Sequence, residues 1–417
     1  MPKSKQIIIR GVVVVVGLIV LLFVAGFVAS RIYSSPVEER VAEIAARGEP
    51  TSIADLESEE ISADQDAAAI LQRIAPQITR VSAAIQSVME QHPDFHVPFN
   101  ELESAFLERV FEAHPDLIPA LTKAARAPRY GVRIEDASSV DGFIQARLDR
   151  GEFHRSIGRI LSLRVKLLND KGEHDAALET SITLFQLARH FDREPSMMSY
   201  LVALATRHMA IASANATLRA EGISDEVKRK LEAELAKHDL RDQLRRALLN
   251  ERAIGLQKFQ EIVDGTGFWP VRLWRMSDLL DYLTVFAEYL KFARQPYYEV
   301  AKQLGTVGNE LGPLASLSVP SLRQSLVATA QAQAMLRSLR ILNAIHARAD
   351  AGGDVALTEL QLPAEAITDP FTGKPMLLAE TDAGLVIYSV GPNLVDDGGK
   401  LAENGDIGVA PVGPPHE

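Results

Sequence analysis

The stretch LSLRVKLLNDKGEHDAALETSITLFQLARHF, residues Leu161 to Phe191, predicts two helices joined by a tight turn. The first helix should end near Asp170, and Lys171-Gly172 should form the turn. Beyond the turn, apolar residues recur at spacings of three and four, at Leu178, Ile182 and Phe185. This spacing places them on one face of a helix, so the stretch favours a helical hairpin.

The same spacing extends through most of the chain on both sides of this hairpin. Upstream it includes Ile70, Ile74, Ile78, Val81, Ile85 and Val88. Pro76 is expected to kink or divide that helix. Glycine or proline marks most junctions, so residues 63–312 are predicted to form one antiparallel helical domain of about seven to ten helices.

Two resemblances concern this helical body. The hairpin resembles a single tetratricopeptide unit, but no second copy follows at the expected period of about 34 residues, so an ordinary hairpin stays the alternative. The stretch Ser196–Asp239, with Arg193–Pro195 before it and SADQDAAAIL (Ser62–Leu71) upstream, resembles a large group of bacterial single-span envelope proteins. That resemblance implies an N-terminal anchor, a helical body and a short C-terminal module, and no activity.

The run GVVVVVGLIVLLFVAGFVAS (Gly11–Ser30) predicts a transmembrane helix, because twenty uncharged residues span roughly 30 Å as a helix. Basic residues before it place the N-terminus in the cytoplasm and the rest outside, so we expect an inner-membrane protein with a periplasmic soluble part. Residues 1–31 are predicted to be the cytoplasmic stub and anchor, and 32–62 a polar linker. A cleaved signal peptide is the alternative.

Charge is concentrated at the C-terminus, where residues 351–417 hold eleven acidic and two basic residues within a chain of net charge -11. No basic stripe occurs, which argues against nucleic-acid binding. The chain has no cysteine and therefore no thiolate metal site or Cys nucleophile. The acidic tail suits cations.

The C-terminal segment differs from the helical body in its turn and strand signals. One last helix is predicted over Ser321–Ala351, with Ser321 as N-cap. Asp369-Pro370 predicts a turn in which Gly373 takes a positive φ. Two strands, Met376–Thr381 and Leu385–Val390, should follow as a hairpin.

This order resembles the C-terminal half of the major pseudopilin of type II secretion systems. The matching residues are Asp369-Pro370, Tyr388–Gly391, Gly398-Gly399 and Asp406-Ile407. The resemblance implies a small α+β module over residues 321–417 and a calcium ion in its last loop. The oxygen donors carried over to this chain, with their nearby additions, are Asn393, Asp396, Asp397 and Asp406. A solvated acidic loop without a bound ion is the alternative.

The N-terminus departs from the pseudopilin pattern, because no acidic residue lies between Met1 and Val37. Prepilin processing and fibre assembly are therefore not expected. The predicted fold class is mainly α: a transmembrane helix, a multi-helix antiparallel domain and a pseudopilin-like module with a β-hairpin.

No catalytic motif emerges. HPDFH carries His92 and His96 but lacks the glutamate of a zinc-protease helix. Asp278 and Asp281 favour a salt-bridged helix face with nearby arginines. His208 is interpreted as a hydrogen-bonded core residue, and four other histidines as surface residues: His154, His174, His190 and His238.

An aromatic cluster between Phe268 and Tyr298 is interpreted as core packing, with a groove for a partner or peptide as the alternative. We therefore predict a non-catalytic envelope scaffold or binding protein, without a nucleic-acid partner or an identified small-molecule substrate, whose calcium-stabilised loop keeps the acidic module folded. The alternatives are an accessory subunit of a type II secretion or pilus-like apparatus and an unrecognised envelope hydrolase.

Overall fold

The computed structural model describes residues 36–91, 99–135, 137–265, 269–307, 311–348, 356–382 and 384–411. The predicted anchor Gly11–Ser30 and the His92–His96 motif lie outside these residues. No helix within the described ranges combines the length and apolar composition needed to cross a bilayer.

Twelve helices and a small sheet make up the described chain. The helices are α1 (36–46), α2 (Ala67–Gln91), α3 (Glu101–Glu112), α4 (Leu117–Arg126), α5 (Val140–Asp170), α6 (His174–Phe191), α7 (Met197–Leu218), α8 (Asp225–Leu235), α9 (Leu240–Asp264), α10 (Trp269–Phe292), α11 (Tyr297–Val300) and α12 (Pro313–His346). The strands are β1 (Leu377–Thr381), β2 (Gly384–Ser389) and β3 (Ile407–Val409), antiparallel in that order. The prediction of a mainly helical chain with a small C-terminal sheet is confirmed.

The predicted hairpin is the pair α5 and α6. Its turn includes Gly172 with φ +75°, and the apolar face of α6 is buried at Leu178 and Phe185. Helix α7 packs against both members of the pair, so the three helices form the centre of the body.

The structure differs from two local predictions at the N-terminal side of the body. Pro76 does not divide helix α2, which runs through it as one element of 25 residues. The predicted polar linker contains α1, whose Val37 and Ile44 are buried in the main hydrophobic core. Val37, Val41 and Ile44 share a helical spacing, but three apolar residues among charges give a weak signal.

Helix α12 begins at Pro313, eight residues before the predicted N-cap Ser321. Two carboxylates on α10 stabilise its start, because Asp278 accepts a hydrogen bond from the Ala315 backbone N–H (3.0 Å) and Asp281 one from that of Gly312 (2.9 Å). Proline is favoured in a first helical turn, where backbone N–H groups have no helical partner. The aspartates interpreted as a salt-bridged face therefore cap another helix.

The sheet packs against α12, which also contacts α7, α8, α9 and α10. Ile387 of β2 and Val409 of β3 belong to the same hydrophobic core as Leu339 of α12. The body and the sheet thus share one core, and the predicted boundary between residues 312 and 321 falls in the first turns of α12.

The hairpin of β1 and β2 confirms the strand prediction, with Leu377 opposite Tyr388 and Thr381 opposite Gly384. Sequence reasoning did not identify β3, which has only three residues. It pairs with β2 from Ile387 to Ser389. This strand returns the acidic loop to the sheet.

Candidate functional site

A buried polar turn between α6 and α7 holds two carboxylates, Asp192 (4% exposed) and Glu194 (2% exposed). Burying a charge is costly unless the charge is paired and hydrogen-bonded. Each carboxylate lies in its own network, and the two networks meet at this turn.

Asp192 pairs with Arg207 of α7, which is fully buried and donates to both carboxylate oxygens. The Nε of Arg207 also donates to Nδ1 of His238 (3.0 Å). Since Nδ1 accepts, the neutral His238 carries its proton on Nε2, 3.4 Å from Glu234. The network therefore runs from Asp192 through Arg207 and His238 to Glu234.

Glu234, which is itself buried, completes this network and contacts two partly exposed cations. Its oxygens lie 2.7 Å from Nε of Arg189 and 3.1 Å from Nζ of Lys237. Burial acts to raise the pKa of Glu234, but the hydrogen bond of His238 and the cations hold it at about 2. Burial lowers the pKa of His238 to about 4, so this imidazole is neutral at pH 7.

Glu194 organises the second network. It accepts hydrogen bonds from the hydroxyl of Tyr130 (2.5 Å) and Nη1 of Arg147 (2.5 Å), and Nε of Arg150 lies 3.5 Å away. The Tyr130 hydroxyl donates its single proton to Glu194, so it can only accept a hydrogen bond from His154. His154 therefore donates to this hydroxyl from Nε2 (3.2 Å). Burial and the nearby arginines lower the pKa of His154 well below its usual value.

Tyr130 is positioned by the segment that contains Asp66. The buried Asp66 carboxylate accepts hydrogen bonds from the backbone N–H groups of Gly131 (2.8 Å) and Ala68 (2.9 Å). A Cβ at Gly131 would stand 2.7 Å from an oxygen of Asp66, so this approach requires glycine. The stretches Ser62–Leu71 and Arg193–Pro195 thereby both contact the segment Tyr130-Gly131, the first through the Gly131 backbone and the second through the Tyr130 hydroxyl.

A polar groove of about 710 Å³ lies over these networks. Its charged lining is one acidic residue, Glu59, and five basic residues: Arg126, Arg129, Arg189, Arg193 and Lys237. Tyr130 and His190 also line it, with their rings stacked at 6.0 Å. We call this feature the cationic groove.

Arg189 and Lys237 are paired with Glu234. In contrast, the exposed Arg126, Arg129 and Arg193 form no side-chain ion pair with any described residue. The three come from α4, from the segment after it and from the α6–α7 turn. The groove therefore combines free positive charge with a floor fixed by buried hydrogen bonds.

The predicted calcium donors lie together in the loop between β2 and β3. Asp406 is fully buried, and its carboxylate accepts hydrogen bonds from the backbone N–H groups of Asp397 (3.3 Å) and Gly399 (2.8 Å). Burial raises the pKa of Asp406, and the charges of Asp396 and Asp397 act in the same direction against these N–H groups. A cation would offset this repulsion.

The other donors are also hydrogen-bonded within the loop. Asp396 accepts from the Tyr388 hydroxyl (3.0 Å), and the Asn393 amide nitrogen donates to Asp397 (3.1 Å). Among the described residues, no three or more Asp, Glu, His or Cys side chains are grouped to hold a metal ion. Backbone carbonyls would have to supply most of the six to eight oxygens that calcium prefers, so calcium stays a prediction.

The aromatic cluster is mostly core. Tyr282, Phe286, Tyr289 and Phe292 are buried, while the side chains of its two tryptophans lie outside the described residues. Tyr297 and Tyr298 line a separate cavity of about 230 Å³ beside α12. This cavity is smaller than the cationic groove and less polar in its lining.

The histidine predictions were partly wrong. His154 and His238 are buried, not surface residues, because each is held neutral inside a hydrogen-bond network. Nε2 of His208 is buried without a hydrogen bond to a described residue, contrary to the prediction. The sequence signal that could have indicated the burial of His154 is its helical spacing from other residues of α5 that are buried. These are Phe143, Arg147, Gly151 and Gly158.

Comparison with protein-family models, curated proteins and solved structures found no match for this chain. The chemistry is therefore argued from the side chains. The cationic groove offers guanidinium groups to a ligand that brings negative charge.

Proposed function

We propose that this protein is a non-catalytic binding protein of the bacterial envelope, anchored in the inner membrane by Gly11–Ser30 with its folded part outside. In this proposal the cationic groove holds an acidic polypeptide segment of a partner. The body supplies a rigid platform, and the pseudopilin-like module completes it.

One observation carries the proposal: Arg126, Arg129 and Arg193 converge on one groove without a carboxylate partner among the described residues. Guanidinium groups pair with carboxylates through two parallel hydrogen bonds. Aspartate or glutamate side chains spaced along an extended peptide would satisfy all three arginines.

Two features of the groove support a polypeptide as the ligand. Its volume of about 710 Å³ lies within the range of ligand sites, roughly 300 to 1,000 Å³. Its lining also includes Ile61, Ala125 and Pro128, which give apolar contact beside the cations. A peptide combines carboxylates with a partly apolar backbone and side chains.

The test is binding of a labelled deca-glutamate peptide to the full-length chain in phosphatidylcholine nanodiscs, measured by fluorescence anisotropy. We expect the double variant Arg129→Gln/Arg193→Gln to bind at least about tenfold more weakly, since it removes two charge-assisted pairs. A deca-glutamine peptide should not bind, and higher salt should weaken the deca-glutamate complex.

The matched control is Arg80→Gln/Arg109→Gln, which removes the same charge from exposed arginines that do not line the groove. It should bind like the unchanged chain. Equal weakening in both double variants would reduce the effect to net charge and contradict the proposal, as would no binding of the acidic peptide.

A second candidate function, a subunit of a type II secretion or pilus-like apparatus, is favoured by the C-terminal module. Its pseudopilin-like motifs meet in space, because the end of β2 at Ser389 is hydrogen-bonded to the Asp369-Pro370 turn. Cross-linking in cells should then recover a pseudopilin bound to the module. Recovery of other envelope proteins alone would exclude this function.

A further inference from the structure

A second basic cleft lies between α1, α9 and α10 and has a volume of about 600 Å³. Its acidic residues are Glu49 and Glu288. Its basic residues are Arg40, Arg47, Arg245, Arg252, Lys291 and Arg294. We call it the α1 cleft. None of its residues takes part in the cationic groove.

The arginines of the α1 cleft are arranged in pairs. Arg245 and Arg252 lie seven residues apart on α9, which places them on one face of that helix. Arg40, within α1, and Arg47, just beyond its end, have the same separation. The burial of Ile44 in the core fixes α1 against the body and holds the two pairs at one cleft.

A single carboxylate, that of Glu49, serves three of these arginines. It lies 2.9 Å from Arg252, 3.3 Å from Arg47 and 3.5 Å from Arg245. Arg294 forms no ion pair with any described residue. The cleft therefore keeps a marked excess of positive charge after its internal pairing.

The burial of Arg252 distinguishes the α1 cleft from an exposed basic surface. Its side chain is 3% exposed, and its Nε is buried without a hydrogen bond to any described residue. The Nε of Arg245 is likewise buried without a hydrogen bond to any described residue. Burial lowers the pKa of Arg252, so a second negative group at the cleft would relieve a desolvated charge.

We propose that the α1 cleft binds a phosphate group, and that the phosphate of an anionic lipid headgroup is its source. Arginine forks match the oxygens of phosphate, and several forks on one cleft can surround a single group. Residue 36 follows the predicted span by six positions, so the chain between them reaches at most about 20 Å. The lipid source thus rests on the proposed anchor, whereas phosphate recognition does not.

The experiment has two arms, both with the full-length chain. In the first, the chain in detergent micelles is titrated with inorganic phosphate, and binding is measured by calorimetry. In the second, the chain is reconstituted in nanodiscs of phosphatidylcholine with one third phosphatidylglycerol, extracted and purified. Mass spectrometry then counts the phosphatidylglycerol that it retains.

We expect phosphate binding and selective retention of phosphatidylglycerol. The variant Arg245→Gln/Arg294→Gln should weaken phosphate binding at least about tenfold, because both side chains line the cleft, Arg294 has no ion pair with a described residue and Arg245 has only a contact of 3.5 Å with the shared Glu49. Arg252→Lys, which keeps the charge but loses the planar fork, should weaken it as well. Circular dichroism of each variant checks that the helices remain formed.

Arg80→Gln/Arg109→Gln is the control, since it removes the same charge from exposed arginines that line neither the α1 cleft nor the cationic groove, and it should leave phosphate binding unchanged. Binding of inorganic phosphate without lipid retention would keep the phosphate assignment and reject the lipid as its source. No phosphate binding, or equal binding by the Arg245→Gln/Arg294→Gln variant, overturns the proposal. The peptide assay on the groove is independent, so the two proposals fail separately.

Discussion

The hydroxyl of Ser389 donates a hydrogen bond of 2.7 Å to the buried carboxylate of Asp369, twenty residues earlier in the chain. The same carboxylate accepts hydrogen bonds from the backbone N–H groups of Phe371 (2.7 Å) and Val390 (3.3 Å). This bond joins the Asp-Pro turn to the end of β2, so two of the motifs on which the prediction of the C-terminal module was based form one structural unit.

The substitution Ser389→Ala should lower the free energy of unfolding by about 1 to 3 kcal/mol, because it removes one partner of a buried charge. Urea unfolding followed by circular dichroism measures this. Ser321→Ala is the control, since among the described residues that exposed hydroxyl donates only to the Ser318 carbonyl of α12 (2.9 Å), and its loss should lower the free energy of unfolding by less than about 0.5 kcal/mol. A cost near 1 kcal/mol for Ser321→Ala would contradict the observed start of α12.

Stability should fall as the pH drops from about 6.5 toward 4, and His238 is one cause. Its pKa is about 4 in the folded chain against 6.5 when unfolded, so only the unfolded chain binds the proton in this window. The resulting loss in the free energy of unfolding is up to about 3 kcal/mol. The depressed pKa of Glu234, about 2 against 4.5, extends the loss as the pH falls further.

Urea unfolding of the unchanged chain and of His238→Gln at pH 7, 5 and 4 isolates the histidine. Glutamine can accept from Arg207 and donate to Glu234 but does not titrate. The variant should therefore lose less stability than the unchanged chain between pH 6.5 and 4. If the free energy of unfolding changed with pH in the same way for the two proteins, this role of His238 would be refuted.

Gly391 should tolerate no side chain. Its φ is +67°, and a Cβ would lie 2.0 Å from the backbone carbonyl oxygen of Gly405. Gly398 has a similar φ of +72° but no atom within 4 Å of its Cβ position, so it is a matched control. In urea unfolding, Gly398→Ala should lower the free energy of unfolding by about 1 to 2 kcal/mol through backbone strain. Gly391→Ala should lower it clearly more. Equal costs would disprove the close approach.

Calcium should raise the thermal unfolding midpoint of the full-length chain relative to chelator, because a bound ion stabilises the folded state. Asp397→Asn should reduce the increase, since it removes one candidate donor. The exposed Asp382 at the β1–β2 turn is the control, and Asp382→Asn should leave the increase unchanged. An identical midpoint in calcium and in chelator would count against the site.

The helical hairpin and the β-hairpin were predictable because their signals are local. Gly172 and Gly384 lie at the turns, and the flanking apolar residues have the spacing of each element. The start of α12 was not predictable in this way. Its cap at Ala315 comes from Asp278, 37 residues earlier, and such a pairing leaves no mark in a local pattern.

The cationic groove was missed for a related reason. Arg126 and Arg193 are 67 positions apart and approach each other only when α4 packs on α6. The buried His154 has its hydrogen-bond partner in Tyr130, 24 residues away. Sequence reasoning did select the two stretches around Tyr130, as parts of a resemblance, but their chemistry required the fold.

Helix α12 has 34 residues, which corresponds to roughly 50 Å of continuous helix. One end lies against the caps of α10, and its flank carries the sheet. A mechanical load applied to the C-terminal strands would therefore pass directly into the centre of the body. The sheet cannot unfold as an independent domain, so the sheet and the helices should unfold together in a single cooperative transition.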